Sequence, residues 1–225
     1  MRGVDRGMIA CMRRVVVHPG NQDAAALKQA ADVIRAGGCV AVPTDTLYGL
    51  AVNPFDAAAV ETLFTVKHRE SGRAIPLIAA DTAQVIDRMG PLPALALILA
   101  ARFWPGPLTL ILPAPHDLPS AVSGETRTVG VRVPDHAVAR ALCRAAGCPL
   151  TATSANISGE SATASPDVVA RILGDRVELL LDAGLTPGGP PSTLVDITGL
   201  APRLVRAGAV AWEDIEACLR SDARR

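Results

Sequence analysis

The stretch CVAVPTDTLYGL, residues 39–50, decides how the chain is read. Its first four residues, Cys39, Val40, Ala41 and Val42, form a compact apolar run of the kind that becomes a buried strand. Pro43 ends the run, and Thr44, Asp45, Thr46 and Tyr48 follow as a polar loop on the strand's end. In open α/β sheets ligands bind at strand ends, because the sheet holds such loops rigid while their tips stay open to water. Hydroxyls and a carboxylate there could hold an amino acid's ammonium and hydroxyl groups. A strand-to-helix cap and turn accounts for the same residues equally well.

Working outward, residues 15–17 read as a short strand, and Asp23 caps a helix over 24–36 that stops at Gly37-Gly38. Downstream, periodicity and propensity predict helices over 57–66, 82–89, 93–103, 137–146, 166–173 and 212–220. Strands are predicted over 75–79, 109–112, 129–133, 150–152, 179–182, 193–197 and 203–205. Trp104-Pro105-Gly106-Pro107 breaks the chain after one helix, and residues 187–191 form a rigid Gly/Pro loop. Strands and helices mix without a strict βαβ rhythm, which predicts an α/β or α+β fold on a mixed sheet.

The 225 residues suit one large domain, expected over 15–220 between loose tails at 1–14 and 221–225. Aromatics make up only 3% of the chain, so Ala, Val, Leu and Ile must fill the core. The formal net charge is zero, which implies no bulk attraction to nucleic acid or membrane, although a local basic cleft is compatible with it. Lys28 and Lys67 are the only lysines among 22 basic residues. A GC-rich genome explains the arginines, but Lys67 then draws notice, because a compact ammonium and a planar fork are not interchangeable at a tight phosphate site. Five cysteines without a C-x-x-C pair favour buried free thiols in a reducing compartment. The four histidines lack metal-ligand spacing. The longest apolar run, 92–101, is interrupted by Pro93 and is far below membrane-spanning length, so a soluble, cytoplasmic protein is expected.

Three further polar clusters sit behind apolar segments. Lys67, His68 and Arg69, with Arg73 four residues on, could clamp phosphates, or could be a solvated helix end complementing the helix dipole. Thr153, Ser154, Asn156 and Ser158 beside Gly159 suit phosphate oxygens or an adenine edge, or an ST-turn feeding an N-cap. Ser192 and Thr193 follow the Gly/Pro loop. Arg132 and Arg206 lie in or beside strands, where a guanidinium requires an anionic ligand or a buried carboxylate partner. The chain has no Walker P-loop, G-x-G-x-x-G, H-E-x-x-H or G-x-S-x-G motif. The residues themselves lead to an α/β protein with an anion-binding cleft.

In their order, PTDTLYGLA (43–51), KHR (67–69), FWPGPLTLIL (103–112), VGVRVPDH (129–136), TSANISG (153–159), PSTLVD (191–196) and LVRAGAV (204–210) resemble the YrdC-like family. The likeness is to its short bacterial L-threonylcarbamoyladenylate synthases and covers nearly the whole chain. It implies a single domain with a twisted mixed β-sheet, flanking helices and a concave basic cleft. It implies an enzyme, a nucleotidyltransferase, that joins L-threonine, bicarbonate and ATP and releases pyrophosphate, with Mg²⁺ carried on the ATP. The product would pass to a tRNA threonylcarbamoyl transferase complex, and contact with tRNA itself is compatible with the basic face. By the family pattern Lys67 and Arg69 act catalytically on the ATP phosphates, with Ser154, Asn156, Thr109 and Arg206 also on the nucleotide. Thr44, Thr46, Tyr48, Arg132 and Ser192 fall to threonine. Where the family commonly has Lys-Pro after the basic stretch, this chain has Arg73-Ala74, and His68 replaces a small residue. The chain ends soon after this domain, so the cleft is expected to lack the cover that a further domain gives the long relatives. The alternatives are carbamoyl-adenylate handling in hydrogenase maturation and a double-stranded RNA- or tRNA-binding module.

Overall fold

The computed structural model describes residues 12–18, 20, 23–68 and 74–222. The chain opens with β1 (Arg13–Val16), α1 (Ala24–Arg35), β2 (Val40–Val42), β3 (Gly49–Ala51) and α2 (Ala57–Lys67). Next come β4 (Leu77–Ile78), α3 (Thr82–Met89), α4 (Ala94–Phe103), β5 (Leu108–Pro113), α5 (Ser120–Ser123) and β6 (Thr128–Arg132). The remainder is α6 (Ala137–Ala146), β7 (Leu150–Thr151), β8 (Thr153–Ser154), α7 (Pro166–Leu173), β9 (Leu179–Asp182), β10 (Thr193–Asp196), β11 (Arg203–Arg206) and α8 (Trp212–Asp222).

The strands form two mixed sheets, β1-β9-β2-β3-β8 and β11-β10-β5-β6-β4-β7. In the first, β9 lies parallel to both β1 and β2, while β3 is antiparallel to β2 and to β8. In the second, β5 pairs antiparallel with β6 and parallel with β10.

The apolar run that opens the reading is buried on both faces. Val40 and Val42 point into a core shared with the small residues of α1 and α6, among them Ala30, Ala31 and Ala139. Ala41 points into the other core, with Leu50, Leu63 and alternate residues of β5 and β6. Covered faces on both sides explain why this strand reads as an unbroken apolar run. Local capping fixes the helices: Asp23 accepts from the N–H groups of Ala25 and Ala26, and Asp56 from those of Ala58 and Ala59.

Several boundaries differ from the sequence reading. β1 begins at Arg13, so Arg13 and Arg14 belong to the sheet rather than to the expected tail, and α8 runs on to Asp222. Gly49 and Leu50, at the end of the polar loop, join Ala51 in β3, and a short helix, α5, lies between the strands expected over 109–112 and 129–133. The single strand expected over 150–152 is two: Ala152, whose N–H donates to Pro76 O, carries the chain from β7 in one sheet to β8 in the other. Cys39 and Cys143 are buried free thiols, and burial pushes both well above the usual thiol range. Among the described residues no helix is long and apolar enough to cross a membrane.

Candidate functional site

Strand alternation builds the site. Leu108, Leu110 and Leu112 of β5, Val129 and Val131 of β6 and Val195 of β10 face the core. The intervening residues Thr109, Ile111, Thr128, Gly130, Arg132 and Leu194 face the other way, as a period of two requires, and form the floor of a cavity of about 440 Å³. The loop between β2 and β3 and the start of β8 make one rim, and Pro191, Ser192 and Arg206 make another. A cavity of this size holds a small molecule.

Arg132 is the buried cation of this floor. Its Nη1 donates to Asp45 Oδ1 at 2.9 Å, and both side chains are about a tenth exposed. Burial pushes the Arg132 guanidinium down from its ordinary value and the Asp45 carboxylate holds it up. One of the five donors is thereby committed, and the fork remains suited to a second carboxylate. Asp45 is thus the partner carboxylate that a strand arginine needs, and it comes from the polar loop that opens the reading.

That loop is held from both sides. Thr44 Oγ1 donates to Leu47 O at 2.7 Å, and Thr46 O accepts from Thr186 Oγ1 and from Gly188 N, each at 2.8 Å. Gly188 has φ +73°, a left-handed conformation that suits glycine and lets the Gly/Pro loop approach so closely. Tyr48 borders the cavity, but its hydroxyl donates to Gly184 O and accepts from Ala183 N, and burial pushes its pKa up to about 12. Its phenol acts here as an anchor for the loop.

Across the floor, Thr109 Oγ1 and Ser192 Oγ share a hydrogen bond of 2.7 Å, and Arg206 Nη2 donates to Ser192 O at 2.9 Å and Oγ at 3.3 Å. Ser192 is fixed from behind, since Ala209 N donates to Pro191 O and Thr193 Oγ1 to Val210 O. Three predicted residues, from β5, from the loop just before β10 and from β11, therefore form one polar chain along the cavity.

Lys67 sits elsewhere. It ends α2, is only 3% exposed, and is not part of the cavity wall. Its Nζ donates to Ser154 O, to Asn156 O at 2.9 Å and to Asn156 Oδ1 at 2.9 Å. Ser154 Oγ donates to the same Oδ1, Asn156 Nδ2 donates to Glu160 O, and Ser158 N donates to Lys67 O. The lysine and the TSAN turn thus form one buried knot, which touches the cavity through Ser154. The helix ends where His68 turns into the left-handed region at φ +48°. Arg69 and Arg73 lie outside the described residues. Among the described residues no group of three His, Cys, Asp or Glu side chains comes together to hold a metal ion.

The structure adds Ile111, Thr128, Gly130 and Leu194 to the predicted set. Alternation with the core-facing leucines and valines was a usable signal for all four. The pairing of Arg132 with Asp45, 87 positions apart, has no local signal.

The family model Sua5/YciO/YrdC, described as telomere recombination, matches residues 32–208. A Bacillus subtilis protein named threonylcarbamoyl-AMP synthase is 40% identical over 86% of this chain and 56% of its own length. One of the same name from Marinobacter nauticus is 37% identical over 76% of this chain and 90% of its own length. The crystal structure of Pyrococcus abyssi Sua5 complexed with L-threonine superposes with a TM-score of 0.86 at 36% identity, covering 93% of this chain and 61% of that one. The chain thus spans little more than half the length of the Bacillus relative. With a match over most of its length and a fold shared with solved relatives, the chain belongs to the Sua5/YciO/YrdC family.

Proposed function

We propose that this protein is an L-threonylcarbamoyladenylate synthase, with its catalytic domain running from β1 at Arg13 to the end of α8 at Asp222. The observation that carries the reading is the cavity itself: a buried Arg132–Asp45 pair on the floor, a Thr109–Ser192–Arg206 chain beside it, and the Lys67–Ser154–Asn156 knot at the far rim. Relatives at 37–40% identity that carry the synthase name support it, as does the likeness to a relative solved with L-threonine.

In this reading the threonine carboxylate docks on Arg132, whose guanidinium Asp45 orients. Thr44, Thr46, Tyr48 and Ser192 shape the threonine end. The amine and bicarbonate lose water to give a carbamate. A carbamate oxygen then attacks the α-phosphorus of ATP, the bond to the β-phosphate oxygen breaks, and pyrophosphate leaves. Positioning and charge neutralisation carry such a step. Lys67 holds the Ser154–Asn156 turn in shape at the nucleotide end, Arg69 meets the phosphates, and Thr109 and Arg206 complete that wall. The described residues form no metal cage, so Mg²⁺ arrives on the triphosphate. The reaction belongs in the cytoplasm, and its product goes to a tRNA threonylcarbamoyl transferase complex.

The test is product identity. Protein supplied with ATP, L-threonine and isotopically labelled bicarbonate should yield a labelled threonylcarbamoyl adenylate by mass spectrometry. A labelled adenylate lacking threonine would point instead to carbamoyl-adenylate chemistry.

A further inference from the structure

We infer that Asp182, which is not part of the cavity wall, is a positioning residue for the threonine end of the site: it shapes the turn that clamps the Thr44–Tyr48 loop on the cavity rim. The inference rests on the synthase reading and adds to it a residue that acts through the loop rather than on substrate.

Asp182 ends β9 and is only 7% exposed. A carboxylate buried this far needs partners for both oxygens, and here they serve two tasks. Oδ2 accepts from Arg14 Nε at 2.8 Å, and Arg14 Nη1 donates onward to Asp167 Oδ1 of α7 at 2.6 Å. β1 lies parallel to β9 with Val16 in register with Asp182, and Val17 N donates to Asp182 O at 2.8 Å. The first strand therefore fixes both the backbone and the side chain of Asp182. Oδ1 accepts from Gly184 N at 2.8 Å and closes an Asx turn, in which Gly184 takes the left-handed conformation at φ +77°.

The residues of that turn hold the cavity rim. Tyr48 Oη donates to Gly184 O at 2.8 Å and accepts from Ala183 N at 3.1 Å. Just beyond, Thr186 Oγ1 and Gly188 N both donate to Thr46 O at 2.8 Å. Between these two anchored residues and Thr44 lies Asp45, whose carboxylate accepts from Arg132 Nη1 on the cavity floor. One carboxylate thus links a strand pair outside the cavity to the loop that lines it. Without the bond to Gly184 the turn is free to open, and Tyr48, Thr46 and Asp45 lose their common support. A misplacement of about 1 Å, even from a change remote from the chemistry, can cost up to about a hundredfold.

Steady-state pyrophosphate release by the full chain tests this, with L-threonine varied at saturating ATP and bicarbonate, then ATP varied at saturating L-threonine and bicarbonate. Circular dichroism and thermal melting establish folding. Asp182→Ala should raise the KM for L-threonine about tenfold and change the KM for ATP less than about threefold. A loss of folded protein alone would lower kcat and move neither KM. Asp182→Asn keeps an oxygen for Gly184 N, and Arg14, 40% exposed, can turn to Asp167 and water, so its KM for L-threonine should stay within about threefold of wild type. Thr186→Val removes one clamp on Thr46 O at nearly constant volume and should raise the KM for L-threonine about threefold; it decides the matter if Asp182→Ala does not fold. A folded Asp182→Ala or Thr186→Val protein with an unchanged KM for L-threonine, or with both KM values raised alike, overturns the inference and leaves the synthase reading intact. So does an Asp182→Asn protein as impaired in that KM as Asp182→Ala, because the bond to Gly184 is then not the route. Failure of the wild type to release pyrophosphate with all three substrates overturns the reading and the inference with it.

Discussion

Replacing Lys67 should damage both the fold and the nucleotide end of the site, because the ammonium is a structural node. Its Nζ serves Ser154 O, Asn156 O and Asn156 Oδ1 from a position only 3% exposed. In Lys67→Met the stem volume is largely kept and the donors are lost. Asn156 Oδ1 keeps the Ser154 hydroxyl and Ser154 O keeps the Asn156 N–H, so Asn156 O bears the loss. One unsatisfied buried acceptor costs about 1–3 kcal/mol, and the variant is spared the cost of burying a charge. The expected net loss is about 2 kcal/mol, a sizeable fraction of a domain's stability. Lys67→Arg should not rescue it, since a planar fork cannot aim three bonds at these closely spaced oxygens. Urea unfolding of wild type, Lys67→Met and Lys67→Arg measures the stability, and ATP titration of the folded variants measures the site. A Lys67→Met protein within about 0.5 kcal/mol of wild type that has nonetheless lost ATP binding would refute the node and leave the ammonium a purely ligand-facing role.

Asp45→Ala leaves Arg132 charged without its partner and should cost about 2–3 kcal/mol, less than a fully enclosed pair because the cavity admits water; thermal melting should recover part of the loss on adding L-threonine. Gly208→Ala would drive a methyl into the backbone of Pro191 and Ser192, and backbone cannot swing aside; we expect at least about 2 kcal/mol of destabilisation and loss of activity, read by melting and by pyrophosphate release. Stability should also depend on His136. Burial pushes its imidazole below the ordinary value of 6.5, partly offset by Asp45 and Asp135. Between its folded and unfolded pKa the unfolded chain therefore binds more protons, so stability is full above about pH 6.5 and falls as pH drops below it. His136→Gln should flatten that acid limb in urea titrations across pH.

Much of the scaffold was legible because its ends are chemically marked. The helices over 82–89, 137–146 and 166–173 and the strand over 179–182 occupy the residues their periodicity predicts. Asp81, Gly147 and the Ser165-Pro166 pair supply helix boundaries that can be read locally. β3 and β8 were hidden, because strands of two or three residues, Gly-Leu-Ala and Thr-Ser, are too short to carry a period and form only where a neighbouring edge awaits them. The site was legible as clusters but not as a constellation. Thr44, Thr46, Tyr48, Thr109, Arg132, Ser154, Ser192 and Arg206 all border one cavity. That Arg132 meets Asp45, and that Lys67 turns inward to Asn156, depends on which strands lie side by side, which no window of sequence encodes.

Pyrophosphate release from ATP by the wild-type chain, with L-threonine and bicarbonate supplied together, singly and not at all, tests the central claim most directly. The synthase reading predicts release only when both are present. Release that is indifferent to threonine, or none from folded protein under any condition, would contradict it.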